Sequence, residues 1–166
     1  SSEPPRETGL VLTPEARKVG LRVLAFTFGP LAVKRKSPGL ERFKETLYER
    51  CRTRYSTEFL QQDPILNGFR NLREKTPMSA EQLPCSSQKL VNTFLKRGAI
   101  PSVNTVVDAY TCVAREPRLR IGAHDCASLA TPVRLDLTQG GESFLGLRHS
   151  TPATLSRGEY AYFSAE

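Results

Sequence analysis

The stretch GAIPSVNTVVDAYTCVAREPRLRIGAHDCASLATPVRLDLTQGGE, residues 98–142, decides how this chain is read. It opens on a helix signal. Pro101 and Ser102 stand where a helix begins, since proline suits the first helical position and serine accepts from an unpaired amide. Val103, Val106, Val107 and Tyr110 then recur at helical spacing and predict one inward apolar stripe on a central helix. Asn104 and Asp108 lie four apart, on a single face beside that stripe. They read either as polar groups tying the helix end to a loop, because Asn and Asp bond readily to nearby backbone, or as the paired lining of a pocket.

Past the helix, Arg118 to Ile121 reads as a short strand and Gly122 to Asp125 as a tight connection, glycine permitting backbone angles that other residues resist. His124 and Asp125 follow at the strand end. A lone histidine is ordinarily structural or exposed; the alternative is ligand or catalytic duty. Asp125 reads as a tie within the turn or as a free carboxylate. Val133 to Thr138 alternates apolar with polar residues, the pattern of a half-buried strand. Gln139 to Glu142 reads as a hairpin turn and Ser143 to Leu147 as the returning strand, with Glu142 either capping the turn or facing a ligand.

These residues also carry a resemblance. Pro101, Asn104, Val107, Asp108 and Tyr110, then Ile121-Gly122-Ala123 with Asp125, then Arg134, Gly140-Gly141-Glu142, Gly158-Glu159 and Tyr162 follow in order over about 60 residues. The run resembles the B3/B4 domain of the phenylalanyl-tRNA synthetase beta subunit, and is similar to freestanding proteins that carry this domain alone. The synthetase has His where Gly122 stands, in a His-Ala-Phe-Asp turn, although Gly is usual in the freestanding group. The Asn that normally follows the Asp-x-Tyr element is Thr111. Nothing before Gly20 shares the pattern.

The resemblance implies an α+β fold, a largely antiparallel sheet with several packed helices. Residues 20–166 would form that domain; in the synthetase it hydrolyses tyrosine wrongly attached to the phenylalanine tRNA, and the residues that contact that tyrosine lie mainly beyond the position matched by Glu166. It implies the trans-editing of misacylated tRNA by hydrolysis of the aminoacyl ester. The alternative is a non-catalytic module on the same scaffold, binding tRNA or a protein. It also implies that Asn104, Asp108, Gly122, His124, Asp125 and Glu142 meet in one cleft. The ester is already activated, so a positioned water suffices, and neither a cofactor nor a metal is needed.

Outward from this stretch, residues 1–19 read as a poorly ordered extension, Pro- and charge-rich over Ser1 to Gly9, with Thr13-Pro14-Glu15 offering the start of a short turn of helix. Leu21 to Phe28 is dense in β-branched and aromatic residues and predicts a core strand. Helices are predicted from Ser37-Pro38, with Leu40, Phe43 and Leu47 inward. Another follows from Asp63-Pro64, with Ile65, Leu66, Phe69 and Leu72 inward. A third runs from Ser86-Ser87, carrying Leu90, Val91, Phe94 and Leu95 and stopped by Gly98. Ser79 and Gln82 have capping-box spacing in the connector before it. Glu159 to Phe163 alternates and predicts a last strand with an open edge, a place for a protein partner.

The 166 residues suit one domain, and the net charge of +7 suits a polyanionic partner such as tRNA. Lys34, Arg35, Lys36, Lys96 and Arg97 are the candidate contacts to its backbone; a solvated loop is the simpler account of the first three. No apolar run approaches the length of a membrane span, so no membrane partner is expected. The four cysteines, Cys51, Cys85, Cys112 and Cys126, form no C-x-x-C pair, which argues against structural zinc and for free thiols in a reducing cytoplasm. No phosphate-binding glycine loop and no nucleophile elbow occurs.

Overall fold

The computed structural model describes residues 6–7, 9–77, 86–115, 117–146 and 149–164. Among these the chain forms helices α1 (Pro14–Lys18), α2 (Pro38–Arg54), α3 (Thr57–Gln62), α4 (Pro64–Glu74), α5 (Ser86–Arg97) and α6 (Thr105–Arg115). The strands are β1 (Arg6–Glu7), β2 (Val11–Leu12), β3 (Phe26–Thr27), β4 (Arg134–Leu137), β5 (Ser143–Phe144), β6 (Ala153–Thr154) and β7 (Tyr160–Phe163). The fold is α+β.

Capping chemistry sets the helix starts. Thr13 accepts from the Ala16 amide, Ser56 from Phe59, and Asp63 from both Ile65 and Leu66, each satisfying amides that have no partner in the first turn. Proline occupies the first position of α1, α2 and α4, where its missing N–H costs nothing.

The chain divides into two compact units. One, residues 31–70 and 83–123, holds α2, α3, most of α4, α5 and α6. Its core is Leu47, Tyr48, Cys51, Tyr55, Leu60, Leu66, Val91, Phe94 and Cys112, with Phe59 and Ile100 packed against it. The other, residues 1–30, 71–82 and 124–166, holds α1 and all seven strands. Here β2 pairs parallel with β4 and β4 pairs antiparallel with β7, giving the order β2-β4-β7 with β7 at an edge. Two antiparallel two-stranded pieces, β1-β3 and β5-β6, stand beside it in sequence. The described strands therefore make three small sheets, in which three of the four strand pairings are antiparallel and one, β2 with β4, is parallel.

Several sequence expectations are corrected. Within residues 9–19, read as part of a poorly ordered extension, Val11–Leu12 form β2, while the helix start at Thr13-Pro14-Glu15 opens α1, with Ala16 fully buried. Leu21 to Phe28 is not a core strand. Only Phe26–Thr27 pairs, on one side, and Leu24 and Phe28 are 72% and 59% exposed. Arg118 to Ile121 is no strand either: Arg118 sits in the left-handed region at φ 56°, its amide donating back to the Arg115 carbonyl at 3.2 Å. Gly140 and Gly141 do turn the chain, both at positive φ, but they do not join β4 to a returning partner. β4 takes β7 instead, while β5 takes β6. The central helix begins at Thr105, four residues after Pro101, and Val103 lies outside it, 57% exposed. The capping box at Ser79 and Gln82, and Cys85, lie outside the described residues.

Candidate functional site

The inward face of α6 is set by charge. Its buried positions are Asp108, Cys112, Ala114 and Arg115, while Val106, Val107 and Tyr110 are half-buried. Asp108 Oδ2 accepts from Lys44 Nζ at 3.0 Å, the two side chains only 4% and 8% exposed. Lys44 also reaches Glu41 at 3.0 Å, one turn back on α2. The Ser102 hydroxyl donates to the same Asp108 oxygen, and the Val103 amide donates to Oδ1 at 2.8 Å. The carboxylate thus fastens the 101–103 loop to the start of α6 and neutralises a buried ammonium. Burial works to raise the Asp108 pKa, but the bonds from Ser102, Val103 and Lys44 outweigh it and hold the carboxyl below its ordinary value. Burial likewise works to lower Lys44, and Asp108 and Glu41 outweigh it, holding the ammonium above its ordinary value.

Asn104 is the cap of α6. Its Oδ1 accepts from Val106 and Val107 amides at 3.0 and 2.9 Å. The space bordered by Lys44, Tyr48, Ile100, Pro101, Asp108, Thr111 and Cys112 is about 10 Å³, room for one water and not for an amino acid. Of the two readings that spacing left open for Asn104 and Asp108, the geometry within this unit is the tie between helix end and loop. Gly122 is exposed, with open space where a Cβ would stand.

In the strand-bearing unit, Asp125 caps the short 3-10 turn Cys126–Ser128, accepting from the Ala127 amide at 3.0 Å. His124 is exposed and meets the Tyr162 ring edge-on, centroids 6.0 Å apart. Glu142 folds back over the glycine turn, accepting from Gln139 and Gly140 amides at 2.6 and 2.8 Å. These amides, Gln139 foremost, hold its carboxyl below the usual range. Three of the four polar candidates whose bonds are described, Asp108, Asp125 and Glu142, thus spend carboxylate oxygens on nearby backbone. Asn104 does the same with its amide oxygen.

The basic candidates are all exposed. The loop carrying Lys34, Arg35 and Lys36 is fastened to the start of α6 by a reciprocal pair: the Thr105 amide donates to the Lys34 carbonyl at 2.9 Å, and the Lys34 amide to Thr105 Oγ1 at 3.0 Å. Lys96 and Arg97 close α5, and the next residue, Gly98, offers its carbonyl to Arg52 Nη2 at 3.2 Å. The end of α5 therefore abuts the end of α2, where Arg50, Arg52 and Arg54 are also exposed.

Sequence reasoning missed three buried cations, Lys44, Arg115 and Arg118, the last with its Nε 2.7 Å from the buried Asp63 carboxylate. Lys44 falls on the inward row of α2 with Leu47, Tyr48 and Cys51, a charge inside an apolar row that signals a hidden acid. Arg115, 1% exposed, lies with its guanidinium 3.6 Å from the Phe94 ring centroid and 5.5 Å from that of Tyr48. None of its guanidinium nitrogens has a hydrogen-bond partner among the described residues. Burial pushes the Cys112 thiol up, so it is no activated nucleophile. No cluster of three or more metal-ligating side chains occurs among the described residues, and no helix there is long and apolar enough to cross a membrane. No family model, curated protein or solved structure matches the chain.

Proposed function

We propose that the chain binds tRNA, its helical unit meeting the phosphate backbone, and clears misplaced amino acids from tRNA by hydrolysing the ester. One observation supports the binding. The helical unit contains 15 Lys and Arg against 7 Asp and Glu, whereas the other unit contains 9 against 10. The whole positive excess belongs to one unit, and Lys34, Arg35, Lys36, Lys96 and Arg97 are solvent-facing within it. The hydrolysis rests on the resemblance alone. A second reading, a module that binds without chemistry, is favoured by the local engagement of Asp108, Asp125 and Glu142.

Binding of tRNA measured at several salt concentrations tests the first step. Affinity should fall with a log-log slope of about −0.7 to −0.9 per phosphate contact. A flat dependence, or no binding at low salt, removes the tRNA role. A panel of tRNAs charged with correct and incorrect amino acids tests the second. Selective loss of one misacylated species, blunted by His124→Ala, supports hydrolysis; His124 is exposed, so this substitution spares the fold. Hydrolysis of none leaves the binding module.

A further inference from the structure

The strand-bearing unit contains a groove that plays no part in the tRNA reading. β1 and β3 pair with Arg6 opposite Thr27 and Glu7 opposite Phe26. Continued, that register would set Leu10 against Val23 and Leu12 against Leu21. The ladder does not continue: among the described residues no backbone hydrogen bond joins 10–12 to 22–25. A groove of about 250 Å³ opens there, with Leu10 and Leu12 on one side and Val23 to Ala25 on the other.

Two features define what suits it. The first is a backbone edge. Val11 and Thr13 donate their amides to Val133 and Leu135 at 2.8 and 3.1 Å, on the β4 side. Alternation along a strand turns the backbone of Leu12 to the opposite side, and Leu12 lines the groove. The second feature is charge. Arg17 and Arg22 both line the groove, and among the described residues no acidic one does. Arg22 Nη1 is steadied by the Leu21 carbonyl at 2.7 Å, which leaves the rest of its fork for a ligand. The Arg17 side chain is exposed.

We propose that this groove binds an extended segment of another protein bearing an acidic side chain. The segment adds its backbone to the Leu12 edge, as in other strand additions, and its carboxylate meets Arg17 and Arg22. Arginine forks suit a carboxylate because two parallel N–H donors match its two oxygens. The volume encloses only the residues beneath the arginines, so the partner strand runs on past both ends of the groove.

The test uses the full chain and two probes, acetyl-Val-Thr-Val-Glu-Val-amide and its Glu→Gln counterpart. Amide resonances from Leu10 to Ala25 should shift on titration with the first. The Gln peptide should bind at least tenfold more weakly, as should Arg17→Ala and Arg22→Ala against the Glu peptide. Circular dichroism checks the fold of each variant, and the exposed Arg17 provides the substitution that leaves the fold intact. Equal binding of the two peptides overturns the proposal, as does the absence of shifts in 10–25 at about 1 mM peptide. Shifts there with a short single-stranded RNA but not with the Glu peptide overturn it as well.

Discussion

Lys44 and Asp108 illustrate how one pair organises a helical unit. Each charge is buried and neutralised by the other, with Glu41 as a second partner for Lys44 and Ser102 and Val103 as further donors to Asp108. Asp108→Ala should therefore cost about 3–5 kcal/mol, because it leaves the buried ammonium with the half-exposed Glu41 alone and releases the 101–103 loop. Adding Lys44→Met in that background should recover part of the loss, and urea unfolding followed by circular dichroism measures both; the chain has no tryptophan to serve as a fluorescent reporter. The pH dependence has a defined sign. Asp108 is depressed, so its contribution is full above the unfolded carboxyl pKa of about 4 and is lost as pH falls through the lower folded value. Lys44 is raised, so its contribution is full below about pH 10.4 and is lost as pH rises through the higher folded value. Stability from this pair should plateau between those limits and fall on either side. Arg115 makes the opposite case. Its cation–π contacts are worth about 2 kcal/mol, less than the several kcal/mol that burying an unpaired charge costs. Arg115→Met should then be neutral or stabilising by roughly 1 kcal/mol in the same urea assay, and a marked loss would show that the guanidinium has a partner in solution.

Among the elements, the glycine turn after β4 carries the sharpest constraint. Gly140 is at φ +92°, and a Cβ there would meet the Arg157 amide nitrogen and Cβ at 3.3 Å. Gly141 is at φ +96° but faces open space. Gly140→Ala should cost about 1–3 kcal/mol from the strained backbone alone, with the contact adding to it, and Gly141→Ala should cost less. Thermal unfolding of the two variants checks the ranking. The helices were legible because 3.6-residue periodicity, proline starts and polar caps agree over ten or more residues. Alternation made the four-residue strands β4 and β7 legible too, whereas a two-residue strand such as β2 or β6 has no period to read. The rotated inward face of α6 was illegible for another reason. Hydropathy assigns Asp108 and Arg115 to solvent, and only the tertiary partners of each, Lys44 for one and two aromatic rings for the other, bring them inside. At the candidate site, the capping readings of Asn104, Asp125 and Glu142 were available from residue type and spacing alone. The groove at Arg17 and Arg22 gave no signal, since it arises where a ladder fails to continue.

Across the whole molecule, charge is divided as unevenly as secondary structure. If the helical unit meets tRNA, changing Lys34, Arg35 and Lys36 together to Glu should weaken binding steeply at low salt. It should also flatten the salt dependence by about 0.7–0.9 for each contact removed. Lys18→Glu, in the other unit, should change affinity far less; equal effects would show that net charge acts without a defined face. The interleaved order of the two units has a consequence for synthesis. Every residue of the helical unit precedes residue 124, whereas β4 and β7 lie at 134–137 and 160–163. On the ribosome, the basic helical core has all its parts before the three-stranded sheet has its central strand, and β2 waits until that helical core has been made for the partner it pairs with. The nascent chain thus carries its cationic half in complete form first, beside the ribosome's own RNA, while β2 is still without its β4 partner.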